Sequence, residues 1–411
     1  MNRQRLVLVG NGMAGVRTLE ELLKLAPDLY DIEVFGDEPH PNYNRIQLTP
    51  VLAGEQDFDD VVLNDLAWYQ RHGIRLNLGR RVVRIDRARR RVIADDGAEA
   101  RYDRLLLATG SRPFIPPLPG HGLRGVLGYR DIADTRAMLE AARRHRHAVV
   151  IGGGLLGLEA ADGLSQRGMR VTVVHRGEWL MERQLDRTAG GLLRDTLAAR
   201  GIAFRLASHG QALLGDESGH VRAVRLHNGA CLPAELVVMA TGIRPNSELA
   251  EQAGLPCAPG VRVNDTLQTF DPRIYAVGEC VTHRGTGYGL VAPGYEQARV
   301  CATHLARLGI GRYEGSLTST RLKVSGIDLF SAGDFNGDSG CEHITLHDPH
   351  AGIYRKLVLR EGRLVGACLF GDSADSAWYQ RLIADGEPIA GQRERLMFGQ
   401  ALAATRESAH A

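Results

Sequence analysis

Three glycines in G-x-G-x-x-G spacing, Gly10, Gly12 and Gly15, follow an apolar run at residues 6–9. Val16, Leu19, Leu22 and Leu23 then recur at helical spacing. The pattern predicts a strand, a tight turn and a helix, the phosphate cradle of a dinucleotide site. Gly10 permits the turn. Gly12 has no Cβ, so a pyrophosphate can reach the backbone, and Gly15 lets helix and strand pack closely. The helix start at Met13 and Ala14 would offer free N–H groups and a partial positive charge. A second set, Gly152, Gly154 and Gly157, follows the apolar run 148–151 and opens another helix through Leu155 and Leu156. One such set is a weak signal; two, each bracketed by strand and helix, point to two dinucleotides.

Other polar groups fall where such sites need them. The expected second strand, residues 32–38, ends on Asp37 and Glu38, near the place where a carboxylate grips an adenosine ribose. Arg45 follows in a turn-rich segment and could pair with pyrophosphate or stack on adenine. After the second glycine set, the strand 171–174 ends on His175 and Arg176 rather than on an acid. That pair could accommodate a 2′-phosphate, whereas an acid would bond a 2′-OH.

Missing chemistry is equally informative. The six cysteines, Cys231, Cys257, Cys280, Cys301, Cys341 and Cys368, form no C-x-x-C, C-x-x-x-x-C or zinc pattern. No local pair can serve as a redox disulfide or ligate an iron–sulfur cluster. Cys341, His343, His347 and His350 cluster in sequence, but they read as packing and surface residues.

The elements that must position these groups are legible as a repeat. Ala108, Thr109 and Gly110 end an apolar strand before Arg112, and Ala240, Thr241 and Gly242 end another. Small residues there let backbone pass close to a cofactor. Residues 274–280 form a strand ending on Gly278 and Glu279, whose carboxylate could accept hydrogen bonds from a polyol such as the ribityl chain of a flavin. A helix over 288–299, carrying Glu296, would then present its N-terminal N–H groups to negative charge on a reduced flavin ring. Proline-rich residues 113–119 mark a boundary. From about residue 313 short strands and two helical segments, 375–383 and 392–398, predict an α+β cap. With 411 residues, 44% hydrophobic and 24% charged, the chain is an ordinary globular one of two or three domains. A net charge of +2 gives no nucleic-acid footprint. No apolar run has the length of a membrane span, and no signal peptide precedes the first strand, so a cytoplasmic place is expected.

The order G-x-G-x-x-G, A-T-G, G-x-G-x-x-G, A-T-G and Gly-Glu resembles the FAD-dependent pyridine-nucleotide oxidoreductases. The resemblance narrows to the electron-transfer subunit of assimilatory nitrate reductase and the flavin portion of nitrite reductase large subunits. Residues 43–48 (Y-N-R-I-Q-L), 51–55 (V-L-A-G-E), 180–186 (L-M-E-R-Q-L-D), 283–285 (H-R-G), 288–293 (Y-G-L-V-A-P), 331–335 (S-A-G-D-F) and 396–399 (L-M-F-G) carry it. It implies an α/β fold of two Rossmann-like, glutathione-reductase-like domains plus a C-terminal α+β cap. The FAD domain would span 1–116 and 235–312, the NAD(P)H domain 117–234 and the cap 313–411, with the cap beside the flavin as a docking surface. It assigns Gly10, Gly12, Met13, Ala14, Gly15, Asp37, Glu38, Arg45, Ala108, Thr109, Gly110, Arg112, Gly278, Glu279 and Glu296 to FAD. Gly152, Gly154, Leu155, Leu156, Gly157, Glu159, His175, Arg176, Ala240, Thr241 and Gly242 go to NAD(P)H, with Glu159 near the nicotinamide. No catalytic acid or base and no metal ligand are expected, because hydride transfer is direct.

Two departures stand out. Thr49 and Pro50 occupy the place where related ferredoxin reductases carry a lysine near the flavin, and Glu279 replaces the usual aspartate. The resembled enzymes mostly use NADH, with NADPH left open here. The expected partner is a redox protein with an iron–sulfur centre, ahead of the molybdenum-containing nitrate reductase catalytic subunit, with no nucleic acid and no membrane. The chain ends before any siroheme segment, which favours the nitrate reductase subunit. Alternatives are a ferredoxin or rubredoxin reductase serving a hydroxylase, and an NADH-responsive, flavin-bound interaction protein.

Overall fold

The computed structural model describes residues 3–322, 324, 326–389 and 391–403. Its chain divides into two units. One holds residues 1–48, 56–113 and 243–316, and the other 49–55, 114–242 and 317–411.

The first unit is built on a five-stranded parallel sheet. Its strands run in the order Ile274–Ala276, Arg104–Leu107, Gln4–Val9, Tyr30–Phe35 and Arg75–Asn77. Alternate side chains of the central strand enter different cores. Leu6 and Leu8 pack with Leu19, Leu22 and Leu106, while Val7 and Val9 pack with Leu105, Leu107 and Ile274. A parallel strand covered on both faces needs a continuous apolar run, which is what residues 6–9 supply. The hairpin expected at 82–94 forms as Val82–Asp86 and Arg91–Ala94 and gains a third strand, Glu99–Arg101.

The second unit repeats the plan. Val126–Leu127, Leu236–Met239, His147–Ile151, Arg170–Val174 and Ala203–Arg205 form a parallel sheet in that order. In both sheets the strand before the glycine turn is central, flanked by the next strand in sequence and by the strand that ends on Ala-Thr-Gly. This moves one expected boundary. Residues 236–239 pair with residues 148–151 in the second sheet, so the chain returns to the first unit at residue 243 rather than 235. Residues 49–55, expected in the first domain, group with the second unit.

Residues beyond 317 also group with the second unit, but they have their own sheet and core. Ser319–Arg321, Leu329–Gly333, Arg363–Phe370, Ile353–Arg360 and Glu342–Asp348 form an antiparallel sheet in that order. Trp378 and Tyr379 of the helix Ser376–Asp385 are buried in its core. The helix expected over 392–398 is reduced to a single 3₁₀ turn, Leu396–Phe398, followed by the short helix Gln400–Ala403. Among the described residues no helix is long and apolar enough to cross a membrane.

Candidate functional site

Each glycine turn is forced by its backbone. Gly10 has φ +105°, and a Cβ there would lie 2.2 Å from the Ala108 carbonyl oxygen. Gly152 has φ +125°, and its Cβ would lie 2.1 Å from the Ala240 oxygen. The alanine of each Ala-Thr-Gly strand is therefore the wall against which its turn is laid. The third glycines are closed in as well. A Cβ on Gly15 would stand 2.8 Å from Ala108 Cβ, and one on Gly157 2.0 Å from the Gly152 oxygen. The middle glycines are the reverse, since a Cβ on Gly12 or Gly154 would meet nothing within 4 Å.

Those middle glycines are also the N-caps of the helices Met13–Leu25 and Leu155–Gln166. Neither helix has a side-chain cap or an acidic residue in its first turn. The leading N–H groups and the positive end of each helix dipole thus face open space. Both turns fit a dinucleotide pyrophosphate on these grounds.

Around the first turn, the strand Tyr30–Phe35 ends before the two acids. Asp37 is exposed and Glu38 half-buried. Glu38 accepts a 2.7 Å hydrogen bond from the Tyr43 hydroxyl and pairs with Arg45, whose guanidinium lies 5.1 Å from the Tyr43 ring. Asn11, inside the glycine turn, is fixed by Asn42 and Tyr69. Asn42 Nδ2 donates to its carbonyl at 3.0 Å, and the Tyr69 hydroxyl donates to Oδ1 at 2.7 Å.

Thr109 and Asn246 bond reciprocally: Thr109 Oγ1 donates to the Asn246 carbonyl at 2.7 Å, and Asn246 Nδ2 donates back at 2.8 Å. Asn246 N–H also bonds the Gly110 carbonyl at 2.9 Å, where Gly110 has φ +65°. Arg112 donates to Asn246 Oδ1 at 3.0 Å and pairs with Glu248, whose carboxyl it holds below its usual range. Glu279 accepts from Ser111 Oγ at 2.7 Å. Glu296 accepts from Ser316 Oγ at 2.5 Å. The helix Val291–Leu305, also without a side-chain cap, brings Gly294 against Ala14, which lies under Gly278 as well. Buried Gln297 fixes that corner by accepting from Gly278 N–H at 2.8 Å.

Around the second turn, Gly153 N–H donates to His175 Nδ1 at 3.1 Å. Burial lowers the pKa of that imidazole, which favours the neutral form whose Nδ1 lone pair the bond requires. The Gly153 carbonyl accepts from Met181 N–H at 2.9 Å, so residues 180–186 close over the turn. Asp186 caps the helix Arg187–Ala199 through Ala189 N–H at 3.0 Å. Its other oxygen accepts from the Tyr354 hydroxyl at 2.6 Å and lies 3.6 Å from Lys356 Nζ. That ties the C-terminal sheet to the loop.

Glu159 is buried, at 3% exposure, and accepts from Thr49 Oγ1 at 2.9 Å. Thr49 is itself 3.3 Å from the hydroxyl of Tyr129, whose pKa burial raises. Leu155 is half-buried, and Leu156, Arg176, Thr241 and Gly242 are exposed. Thr241 Oγ1 donates to the Phe114 carbonyl at 2.7 Å.

All six cysteines are free thiols. Cys280, Cys301 and Cys368 are buried, and burial raises their pKa values, that of Cys368 to about 12. Such thiols are poor nucleophiles. Among the described residues no three His, Cys, Asp or Glu side chains are grouped to hold a metal ion.

Residues 4–304 match the pyridine nucleotide-disulphide oxidoreductase family. The chain belongs to that family. It is an oxidoreductase, and FAD and NAD(P)H are its cofactors. Residues 319–387 match the rubredoxin NAD+ reductase C-terminal domain. The chain is 51% identical to the nitrite reductase [NAD(P)H] of Bacillus subtilis, over 91% of this chain and 46% of that protein. It is 47% identical to the assimilatory nitrate reductase electron transfer subunit of the same organism, over 93% of this chain and 49% of that protein. The ferredoxin reductase for the CYP199A2 system of Rhodopseudomonas palustris shares its structure with a TM-score of 0.86 at 26% identity, covering 94% of this chain and 96% of that one. The chain spans about half the length of the curated relatives it matches. Length therefore does not favour the nitrate reductase subunit over nitrite reductase.

Sequence reasoning missed Asn11 and Tyr69 at the first turn, Asn246 at Thr109 and Gly110, Gln297 at Gly278, and the Thr49–Tyr129 pair at Glu159. Thr49 had a signal, since it stands where a relative's lysine is expected. The others bond across long sequence separations and leave no local pattern.

Proposed function

We propose that this chain is the NADH-oxidising, FAD-bearing electron-transfer component of a nitrate-assimilating reductase, acting in the cytoplasm. Gly10, Gly12, Met13, Ala14 and Gly15 would hold the FAD pyrophosphate, with Glu38, braced by Arg45, or Asp37 at the adenosine ribose. Ala108, Thr109, Gly110, Arg112, Gly278, Glu279 and Glu296 would line the rest of that site. Gly152, Gly154, Leu155, Leu156 and Gly157 would hold NADH, with His175 and Arg176 at its adenosine end. Ala240, Thr241 and Gly242 would complete that site, and Glu159 would lie toward the nicotinamide. FAD held by these residues would supply two-electron hydride acceptance and one-electron release.

The chain's own part is to bind, orient and keep charge in place. The two uncapped helices take the pyrophosphates, and the Thr49 hydroxyl holds the Glu159 carboxylate in one orientation. The observation that carries the reading is two intact nucleotide turns in a chain whose thiols lie unpaired, three of them buried. Electrons have no dithiol to enter, so they leave to another molecule. High identity to the nitrate reductase electron transfer subunit and to nitrite reductase supports a nitrogen-oxyanion reductase as the destination; the molybdenum-containing subunit is the partner that this reading expects.

A second reading, a ferredoxin or rubredoxin reductase serving a hydroxylase, is favoured by the C-terminal match and by the ferredoxin reductase structure. Purified chain, FAD and NADH should support nitrate reduction only when the molybdenum subunit is added. Faster reduction of hydroxylase ferredoxins than of that subunit would replace the first reading by the second. Absence of turnover with any acceptor would leave a flavin-bound interaction protein.

A further inference from the structure

An open cleft of about 560 Å³ lies in the first unit, lined by Arg262, Asn264, Asp265, Thr266, Arg284 and Arg312 among others. None of these residues belongs to either nucleotide turn. Three arginines and one aspartate are among its lining residues, and the aspartate is already engaged. Asp265 accepts from Arg284 at 2.7 and 3.0 Å and from His283 Nε2 at 2.9 Å, which holds its pKa far below the usual carboxylate range. Arg262 and Arg312 are exposed, and their side chains make no hydrogen bond or ion pair with any described residue. Three arginines, set against Asp265 and against Glu314, which acts on Arg284 from nearby, leave the cleft with a positive balance.

The cleft is also held rigid. His283, 2% exposed, and Thr286 exchange backbone hydrogen bonds of 2.9 and 2.8 Å across a tight turn that aims Arg284. Tyr313 N–H donates to the Asp265 carbonyl at 2.7 Å and fixes the loop carrying Arg312. That loop also bears Leu308 and Ile310, which are 50% and 80% exposed. An apolar spot beside unpaired arginines has the composition of a protein interface, in which arginine is enriched. The Tyr313 ring lies 4.8 Å from His283 and 6.3 Å from Tyr288. Tyr288 leads directly into the helix Val291–Leu305, whose Gly294 packs on Ala14 of the first glycine turn. The cleft is thus linked through three neighbouring rings, one pair tilted and one edge-on, to the corner where FAD is proposed to lie.

We propose that this cleft and the Leu308–Ile310 loop dock an acidic one-electron carrier protein, the acceptor of the electrons that NADH supplies. The inference rests on the electron-transfer reading above and names the partner's chemistry. Carboxylates on the carrier would pair with Arg262 and Arg312, for which the planar guanidinium fork is suited. Opposite charge steers a short-lived encounter and raises its rate more than its affinity. One NADH reduces two carriers, each gaining one electron, with release of NAD+ and one proton.

The test uses the full FAD-loaded chain with a plant-type [2Fe–2S] ferredoxin as the acidic probe and uncharged menadione as the control acceptor. The double variant Arg262→Glu/Arg312→Glu should lower kcat/KM for ferredoxin by about 10-fold or more while menadione reduction stays unchanged. The ferredoxin rate of the unaltered chain should fall with added NaCl, and that of the variant should not. Arg262→Lys/Arg312→Lys should keep the salt dependence. Equal ferredoxin rates and salt slopes in all three would overturn the proposal. So would a chain that reduces menadione but not ferredoxin. Inhibition by inorganic phosphate beyond that of NaCl at equal ionic strength would mark a small-anion site and also overturn it. Failure to oxidise NADH with menadione would instead remove the electron-transfer reading itself.

Discussion

The two glycine turns share a backbone and differ in what surrounds it. In each, the first glycine is laid against an alanine carbonyl, the second faces open space and the third packs under the first. Two residues beyond the third glycine the turns diverge. Arg17 is half-exposed and paired with Glu20 and Glu21, whereas Glu159 is buried and held by a threonine hydroxyl. At the end of the next strand, Glu38 is braced by Arg45 and Tyr43, while His175 turns its Nδ1 inward to accept a backbone N–H. The common part is what a pyrophosphate requires. On the proposed reading, the divergent part would decide which nucleotide sits there.

The largest effects should come from breaking one frame at a time. Gly10→Val places a β-branched side chain at φ +105° against a carbonyl, and should cut bound FAD, read from the flavin absorbance per protein, by about 10-fold or more. Gly152→Val should leave flavin content near normal and abolish its reduction by NADH. Loss of flavin in both variants would mean that the two turns do not act independently.

A smaller effect is expected where the turns differ. A hydrogen bond to a charged group contributes about 1.5–3 kcal/mol, so Glu159→Gln should raise the KM for NADH by about 10-fold or more. Thr49→Val should raise it less, because the carboxylate remains. Arg17→Gln should leave it unchanged.

Smaller again is a pH effect confined to the second turn. The folded-state pKa of His175 lies below its unfolded value of about 6.5. Its bond to Gly153 is therefore fully present above that value and is lost as pH falls through the depressed pKa, when Nδ1 takes a proton. NADH affinity should be flat from neutral to mildly alkaline pH and weaken only as pH falls below the ordinary histidine range, with FAD content constant. His175→Asn should flatten that profile. Least of all should thiol chemistry matter: alkylation of the accessible cysteines should leave NADH oxidation within about twofold, since the buried thiols are held in their inert form.

Much of this was legible because the glycine turns are local. Spacing alone identifies Gly10, Gly12 and Gly15 and their counterparts, and alternation identifies the apolar strands beside them. The boundary at residue 235 was misplaced because strand 236–239 has the same apolar composition whichever sheet it joins; only pairing with 148–151 decides it. Segment 49–55 was likewise unreadable, since its attachment rests on contacts such as Arg167 donating to the Leu52 carbonyl at 2.7 Å. The L-M-E-R-Q-L-D stretch marked the family without showing its task. The structure supplies one: Met181 closes on Gly153, and Asp186 joins a helix cap to the C-terminal sheet. Asn246 and Gln297 lie far in sequence from the turns they brace, and polar side chains acting at such range have no periodicity to betray them.

The central claim is that electrons from NADH enter this chain at one two-electron site and find no dithiol beyond it. Anaerobic titration of the FAD-loaded chain with NADH tests it most directly. The account predicts full bleaching of the flavin absorbance at one NADH per flavin, with no further uptake and no newly titratable thiols. Uptake of a second equivalent, with two thiols appearing, would reveal an internal disulfide relay and contradict it.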